Sequence, residues 1–282
     1  MKERKYIVKT SNNILKNLIE DGGYAKNKAK SLLKYENVLV NGTVVTKFDY
    51  LVKENDVVTI TNYRKVRAPF QIIYEDDEFL VINKKAKLLT VSEDIKDNSL
   101  YKMASKYLKL KLSREKLFVL HRLDKDTSGI VVFTKNKILT DMLQNDWNRY
   151  AKKRIYMGVV EGKLNKKEDT ITCYLLDNKE VTVVTKDEVH GKKSITKYRV
   201  VKENKKYSLL EIELLTGRKN QIRAVFSNMG HSLVGDKKYY SKENPIHRVA
   251  LVHTLIELEH PMTHKIYRFE VNTPKEFINL VK

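Results

Sequence analysis

A charged segment between two apolar runs, at residues 121–129, constrains the fold of this chain more than any other feature. Its sequence is HRLDKDTSG, and the apolar runs are residues 117–120 and 130–133. Short apolar runs bounded by polar residues are typical of buried strands, so the charged segment is expected to be a loop at a strand end. Because a sheet holds such loops in place, they often carry functional residues.

Asp124 is the strongest candidate for a functional residue in this segment, where it is flanked by Arg122 and Lys125. Cationic neighbours favour the ionised form of a carboxyl group and lower its pKa, so Asp124 would be available as a nucleophile or a base. A structural alternative fits the spacing equally well: Asp124 and Asp126 would cap a turn that residues 127–129 complete.

The segment also resembles the central motif HRLDxxTSG of the RluA-type pseudouridine synthases at every fixed position. This resemblance implies that Asp124 is the catalytic residue. Residues 152–162, KKRIYMGVVEG, resemble the KxYxAxVxG motif of the same family. That likeness implies that Tyr156 lies against the target base and is available for proton transfer, whereas a tyrosine in an alternating strand is by itself more often a packing residue.

Residues 216–223, TGRKNQIR, resemble the family motif TGRxHQIR, with Asn220 in place of the usual histidine. The resemblance implies an arginine that pairs with the catalytic aspartate, and we assign this role to Arg218. Arg223 is the second choice, because it could equally bind the RNA backbone; a guanidinium suits either task through its bidentate geometry. Without the motif, both arginines would be interpreted as ordinary surface ion pairs.

Two further segments resemble family motifs but depart from them. Residues 83–89, NKKAKLL, resemble the start of NKPxGLxVH, with Lys85 in place of the proline and Lys87 in place of the glycine. Residues 230–236, GHSLVGD, resemble GHPIxGD, with Ser232 in place of the proline. These departures bear on the substrate more than on the reaction.

The charge balance indicates a polyanionic partner. The 282 residues include 55 Lys and Arg against 35 Asp and Glu, which gives a formal net charge of +20. Such an excess favours nucleic acid first and an acidic membrane surface second, although a lysine-rich proteome would bias every surface in the same way. We expect Arg122, Lys152, Lys153 and Arg223, which lie within the motifs, to bind RNA.

The cysteine and histidine content argues against a metal site. Cys173 is the single cysteine, which excludes an intrachain disulfide and a cysteine-rich zinc site. There is no HExxH pattern, and Pro261 argues against a helical metal pair of His260 and His264. The sequence also contains no P-loop and no dinucleotide-binding fingerprint. We therefore expect no metal and no cofactor. An absent signal peptide and the lack of any 18-residue apolar run predict a cytoplasmic protein that does not enter membranes. The sequence does not determine the oligomeric state, and our expectation is a monomer.

The first 60 residues predict a small unit of two helices and a hairpin. Apolar residues at helical spacing predict helices near 14–19 and 26–34, and Asn-Gly at 41–42, between β-branched runs, predicts a type I′ hairpin. This pattern is similar to the alpha-L RNA-binding domain of a ribosomal small-subunit protein, although Asn55 stands where that family usually has glycine.

The similarity to the alpha-L domain implies that Lys26, Lys28 and Lys30, together with the hairpin, face RNA. Residues 1–65 contain 13 basic and 7 acidic residues, a net charge of +6. The structural alternative is a solvated lysine face on a stable helix.

We predict an α+β protein with an alpha-L domain at 1–62, a linker at 63–69 and a catalytic domain at 70–282. Helices are expected at 98–112 and 137–150. The catalytic domain should have the pseudouridine synthase fold, with a mixed, mainly antiparallel sheet crossed by a basic cleft that the motif loops line.

The family resemblance implies isomerisation of uridine to pseudouridine in structured RNA, with large-subunit ribosomal RNA favoured over transfer RNA. Two alternatives are open. An RNA-binding protein without catalysis would fit the departures at Lys85, Lys87 and Asn220. A nucleic-acid hydrolase would use Asp124 and Asp126, but that chemistry usually needs a metal held by several carboxylates.

Overall fold

The structure, a computed structural model, describes residues 4–61, 67–94, 97–111, 116–178 and 181–282. The chain divides into two compact units, which comprise residues 1–69 with 104–116 and residues 70–103 with 117–282. The domain limits drawn from the sequence stay a prediction, and the linker at 63–69 lies partly outside the described residues. No helix within the described ranges has the length and hydropathy needed to span a bilayer.

Residues 4–61 of the first unit form two helices and six short strands. They are β1 (Arg4–Ile7), β2 (Asn12–Asn13), α1 (Ile14–Glu20), α2 (Lys26–Lys34), β3 (Val38–Val40), β4 (Thr43–Val44), β5 (Leu51–Val52) and β6 (Val57–Ile60). The main sheet has the order β1-β6-β3-β4. The hairpin between β3 and β4 is confirmed, with φ of 51° at Asn41 and 82° at Gly42.

The apolar faces of α1 and α2 form the core of the first unit. Leu18 of α1 and Leu33 of α2 are fully buried. The lysines of α2 lie on the opposite face, where Lys26, Lys28 and Lys30 are exposed. The predicted amphipathic helix is therefore confirmed, and its charged side is open to solvent.

The second unit is built on one large sheet. Its elements are β7 (Gln71–Glu75), β8 (Phe79–Lys84), the start of α3 (Leu100–Lys111, whose residues 104–111 belong to the first unit), β9 (Phe118–Val119), β10 (Ser128–Thr134), α4 (Lys137–Asn145), α5 (Trp147–Tyr150), β11 (Ala151–Glu161), β12 (Glu168–Asp177), β13 (Thr182–Thr185), β14 (Lys192–Glu203), β15 (Tyr207–Leu214), α6 (Gln221–Asn228), β16 (Leu251–Glu259), β17 (Ile266–Glu270) and α7 (Lys275–Leu280). The helix predicted at 98–112 corresponds to α3, and residue 112 lies outside the described ranges. The helix predicted at 137–150 is interrupted at Asp146, where φ is −133° and ψ is 56°.

The strand order is β13-β12-β14-β15-β11-β16-β10-β8-β7, with β17 beside β16 and β9 beside β10. The described strand pairs are antiparallel except for β10 and β16, which run parallel with Ser128 opposite Val252 and Gly129 opposite His253. Gly129 has φ of 110°, and a Cβ atom there would lie 2.2 Å from the His253 carbonyl oxygen. The predicted mixed, mainly antiparallel sheet is confirmed, and the close approach at Gly129 explains why the charged motif ends in glycine.

Candidate active site

A cavity of about 510 Å³ lies in the second unit. Its walls come from the loop before β10, from β11 and β16, and from the turn that leads into α6. Half of the predicted site residues meet there: Arg122, Asp124, Tyr156, Arg218 and Arg223. Segments that are up to 167 residues apart in sequence, from Leu89 to Ile256, thus form one concave, partly charged site with a volume in the usual range for a ligand pocket.

The loop that carries Asp124 is held by hydrogen bonds on both sides of that residue. The Thr90 hydroxyl donates to the Leu123 carbonyl oxygen at 2.7 Å and accepts from the Leu123 amide at 3.1 Å. The buried Lys84 ammonium donates to the Lys125 carbonyl oxygen at 3.1 Å and to two carbonyls of the preceding loop. These contacts fix the backbone of the loop and therefore the position of the carboxylate.

The arginine beside Asp124 is Arg223. Its Nη1 atom lies 3.6 Å from the Oδ2 atom of Asp124. The same guanidinium donates to both carboxylate oxygens of Asp236, at 2.7 and 2.8 Å, and to the Asn220 side-chain oxygen at 3.1 Å. It also lies over the Tyr239 ring, 4.9 Å from the centroid. Because Arg223 is only 6% exposed, its orientation is tightly determined.

The assignment of the aspartate partner to Arg218 therefore needs correction. Arg218 is exposed, and its Nε atom donates to the Lys193 carbonyl oxygen at 3.0 Å. Conversely, Arg223 is buried against Asp236, so its guanidinium is not available at the surface for the RNA backbone. The reason is the left-handed turn at Asn220, φ 50°, which starts α6 at Gln221 and directs Arg223 inward.

The departures from the family motifs have a structural explanation at two positions. Asn220, in the histidine's place, supplies an acceptor for Arg223 and adopts the left-handed conformation that asparagine tolerates. Lys87, in the glycine's place, has φ of 64°, so the loop keeps a glycine-like backbone with a lysine side chain. Neither substitution removes a described contact of Asp124.

Burial raises the pKa of the Asp124 carboxyl above its ordinary value. The Arg223 and Lys84 cations oppose this effect and do not cancel it. The expectation that Arg122 and Lys125 lower the pKa was wrong, because both side chains are exposed and their charges are solvated. Asp124 is thus a carboxyl group at the base of a cavity, with 33% of its side chain accessible and an increased affinity for a proton.

Two neutral imidazoles lie behind the tyrosine of the site. The Tyr156 ring stacks on the His253 ring, with centroids 4.4 Å apart. Burial lowers the pKa of His253 to about 4 and that of His121 to about 3. Burial also raises the pKa of the Tyr156 hydroxyl. At neutral pH the tyrosine is therefore protonated and neither histidine contributes a positive charge.

Sequence reasoning placed Arg154 in a basic cluster with Lys152 and Lys153 but did not select it as a site residue, and it missed the role of Asp236. Arg154 is buried, lines the cavity and donates to the Asn148 side chain at 3.2 Å. Strand alternation could have identified it, since residues 154 and 156 of β11 share a face. Asp236 is the last residue of the GHSLVGD segment, which the sequence analysis left without a role, and it holds Arg223.

The other predicted RNA contacts lie away from the cavity lining. Lys152 forms an ion pair with Glu259 at 2.7 Å, which partly neutralises its charge, and Lys153 is half-buried on the same strand. Lys26, Lys28 and Lys30 belong to the first unit.

Comparisons with known proteins agree with this geometry. Residues 78–228, more than half of the chain, match the family described as RNA pseudouridylate synthase. The uncharacterized RNA pseudouridine synthase YhcT of Bacillus subtilis is 29% identical over 253 residues, which cover 89% of this chain and 83% of that protein. The ribosomal large subunit pseudouridine synthase D of Buchnera aphidicola is 29% identical over 306 residues, which cover 95% and 93%.

A solved structure has a similar fold. The human RNA pseudouridylate synthase domain containing 4 superposes with a TM-score of 0.62 at 17% sequence identity, over 73% of this chain and 90% of that chain. Together with the family match and the relatives, this likeness shows that the chain belongs to the RNA pseudouridylate synthase family, whose members are isomerases that act on RNA.

Proposed function

We propose that this protein converts uridine to pseudouridine in structured RNA, with Asp124 as the catalytic residue and large-subunit ribosomal RNA as the favoured substrate. The observation that carries the proposal is the Asp124 carboxylate at the base of the cavity, 3.6 Å from the buried Arg223 guanidinium. The Buchnera relative is named as a ribosomal large subunit pseudouridine synthase, which supports large-subunit ribosomal RNA as the substrate.

The target uridine leaves its stack and enters the cavity, because a base cannot be detached and turned within a helix. Asp124 then either attacks the ribose to form a covalent intermediate or removes a sugar proton to give a glycal. In both routes the bond between C1′ of the ribose and the ring nitrogen N1 breaks with its electron pair staying on the uracil, and the uracil turns so that its carbon C5 bonds to C1′. In the covalent route this attack displaces the Asp124 carboxylate from C1′, and in the glycal route Asp124 returns the proton to C2′. C5 then loses its proton, and the detached nitrogen takes up a proton.

Arg223 and Tyr156 support this chemistry in different ways. Arg223 positions Asp124 and favours its ionised form, against the burial that raises its pKa. Tyr156 packs against the uracil and, because its hydroxyl stays protonated, acts as a hydrogen-bond donor rather than as a base. We assign Arg218 to the rim of the cavity, where its exposed guanidinium binds RNA phosphate.

RNA binding extends beyond the cavity in this proposal. Arg122 at the cavity and the half-buried Lys153 add positive charge near the site. The first unit acts as an alpha-L RNA-binding domain through the exposed lysines of α2. The protein works in the cytoplasm as a monomer. Light scattering of the purified protein tests the monomeric state.

The test is pseudouridine mapping of total RNA from cells that lack the gene, complemented with wild type, Asp124→Asn or Asp126→Asn. We expect one or more sites to disappear in the deletion strain. Wild type and Asp126→Asn should restore these sites, and Asp124→Asn should not. Asp126 is the matched control, because it lies in the same loop and outside the cavity lining.

The same map identifies the substrate, because the pseudouridines that are lost in the deletion strain belong either to ribosomal or to transfer RNA. Restoration by Asp124→Asn would refute the catalytic role of Asp124. An unchanged map, combined with no pseudouridine formed when the purified protein is incubated with unmodified ribosomal and transfer RNA transcribed in vitro, would refute the proposed function.

A further inference from the structure

An exposed aromatic residue with an unusual backbone conformation follows the Asp236 turn. The short 3-10 helix Lys237–Tyr239 ends at Tyr240, which has φ of 64° and ψ of 24°. The Tyr240 side chain is 78% exposed. Within the described parts of the chain, its hydroxyl forms no hydrogen bond and its ring contacts no other aromatic ring.

A tyrosine at this position has a cost and no evident structural benefit. Positive φ is unfavourable for a bulky side chain and favours glycine. An exposed ring buries little apolar surface in return. Local strain of this kind, when the fold does not require it, is an indication of function.

The surroundings of Tyr240 are basic. Lys237, Lys238 and Lys242 are exposed, and none of them forms an ion pair with a residue that the structure describes. Two carboxylates also lie at this loop: Glu243 accepts a hydrogen bond from the Tyr207 hydroxyl, and Glu161 accepts from the backbone amides of Lys242 and Glu243. Three lysines against two carboxylates leave the loop with a net positive charge. An exposed aromatic ring among free cations is the arrangement that binds unpaired nucleotides, because the ring stacks on a base while the cations bind phosphates.

The same loop is attached to the active site. Asp236 holds Arg223 through two hydrogen bonds, and the Tyr239 ring lies under the same guanidinium. With about 3.8 Å between successive Cα atoms, the Cα atom of Tyr240 lies within about 15 Å of that of Asp236. This is a span of a few nucleotides.

We propose that residues 237–242 bind an unpaired nucleotide of the RNA substrate near the target uridine, with Tyr240 stacked on its base and the three lysines on its phosphates. The inference rests on the proposed function for the identity of the RNA, and its test does not depend on catalysis.

The experiment compares wild type, Tyr240→Gly and Tyr240→Phe in the full-length protein. The probes are a fluorescein-labelled 12-nucleotide oligouridylate and an abasic strand of the same length, which keeps the phosphates and lacks the bases. We expect Tyr240→Gly to weaken oligouridylate binding by about tenfold and to leave abasic-strand binding unchanged. Tyr240→Phe retains a stacking ring and should bind both strands as wild type does.

A measurement of thermal stability separates this effect from misfolding. Because glycine relieves the positive φ, the melting temperature of Tyr240→Gly should be equal to or higher than that of wild type. Weaker binding by a protein of undiminished stability identifies the ring as a ligand contact. The inference is overturned if Tyr240→Gly binds oligouridylate as wild type does, or if it loses affinity for both strands equally.

Pseudouridine formation on unmodified ribosomal and transfer RNA transcribed in vitro completes the test. We expect Tyr240→Gly to raise KM by about the same tenfold factor and to leave kcat unchanged, since the ring does not touch the reacting atoms. If wild type forms no pseudouridine, the proposed function fails while the two binding probes still decide the role of Tyr240.

Discussion

Replacing Asp236 by asparagine tests whether the buried pair with Arg223 sets the geometry of the active site. The two side chains are 6% and 1% exposed and share two hydrogen bonds of 2.7 and 2.8 Å. Asparagine has nearly the same shape, so the change removes a charge without leaving a cavity. The Arg223 cation is then buried without its main counterion.

The expected loss of stability is about 3 kcal/mol. Removing one partner of a buried ion pair costs about 3–5 kcal/mol. The lower end applies, because the Asn220 contact remains and the asparagine oxygen retains one hydrogen bond worth about 1 kcal/mol. In a unit of this size, the same loss lowers the melting temperature by roughly 6–12 °C.

Trp147, the single tryptophan of the chain, provides the assay. It lies in the second unit, so its fluorescence during urea denaturation follows the unfolding of the unit that contains the pair. A double-mutant cycle adds three variants: Asp236→Leu, Arg223→Met, and the double variant that carries both of these changes. Since two apolar side chains leave no buried charge, we expect the double variant to regain most of the stability that either single variant loses. It should remain inactive, because Asp124 has lost its arginine.

The control is Glu211→Gln. Glu211 pairs with Arg199 at 3.1 Å, but both side chains are largely exposed, so the loss should stay below about 1 kcal/mol. The reasoning is refuted if Asp236→Asn costs no more than Glu211→Gln. It is equally refuted if the double variant is as unstable as the sum of the two single variants, since the residues would then be uncoupled.

Three further predictions follow from the backbone and the charges. Lys87→Gly should raise the free energy of unfolding by up to about 1 kcal/mol and keep activity, because φ there is 64°; a decrease in urea denaturation would contradict this. Asp124→Asn should abolish activity without lowering the free energy of unfolding at pH 7, because the pKa of Asp124 is raised in the folded state and its ionised form therefore destabilises the wild type above that pKa. Any stability gain of the variant over wild type should vanish as the pH falls below the ordinary carboxyl pKa, and a gain that does not change with pH would refute the raised pKa. Replacing Lys26, Lys28 and Lys30 together by glutamine should reduce the slope of log affinity against log salt by about 2 to 3, with an unchanged kcat, whereas an unchanged slope would remove these lysines from the RNA interface.

The motif loop and the hairpin of the first unit could be predicted because their signals are local. The segment around Asp124 lies between two short apolar runs that form β9 and β10. Asn41 and Gly42 allow the positive φ values that a type I′ turn requires. Neither inference needs knowledge of distant parts of the chain.

The choice between the two arginines could not be made from the sequence. It depends on the direction in which α6 leaves the turn at Asn220, and that direction is set by packing. The first six residues of α6 are all buried, so no amphipathic pattern distinguishes Arg223 from its neighbours.

The pKa of Asp124 was missed for a related reason. Neighbours in sequence, Arg122 and Lys125, suggested a cationic environment, but both are exposed. The cavity that desolvates the carboxyl is formed by distant strands, and burial is the largest effect on its pKa. Local charge is a poor guide to a group whose surroundings come from the tertiary fold.

The short parallel contact between β10 and β16 has a consequence for the alignment of the site. Asp124 precedes β10, whereas Tyr156 and Arg223 belong to β11 and α6, so the two sides of the site lie on different halves of the sheet. Within the described strands, only two residue pairs, at Ser128 and Gly129, join these halves along their backbones. Side-chain packing therefore carries most of this junction, since Ile130 and Val132 of β10 belong to the same buried core cluster as Ile256 and Leu258 of β16. A substitution that shrinks this core would be expected to shift the Asp124 loop relative to Tyr156 without breaking the ladders within either half.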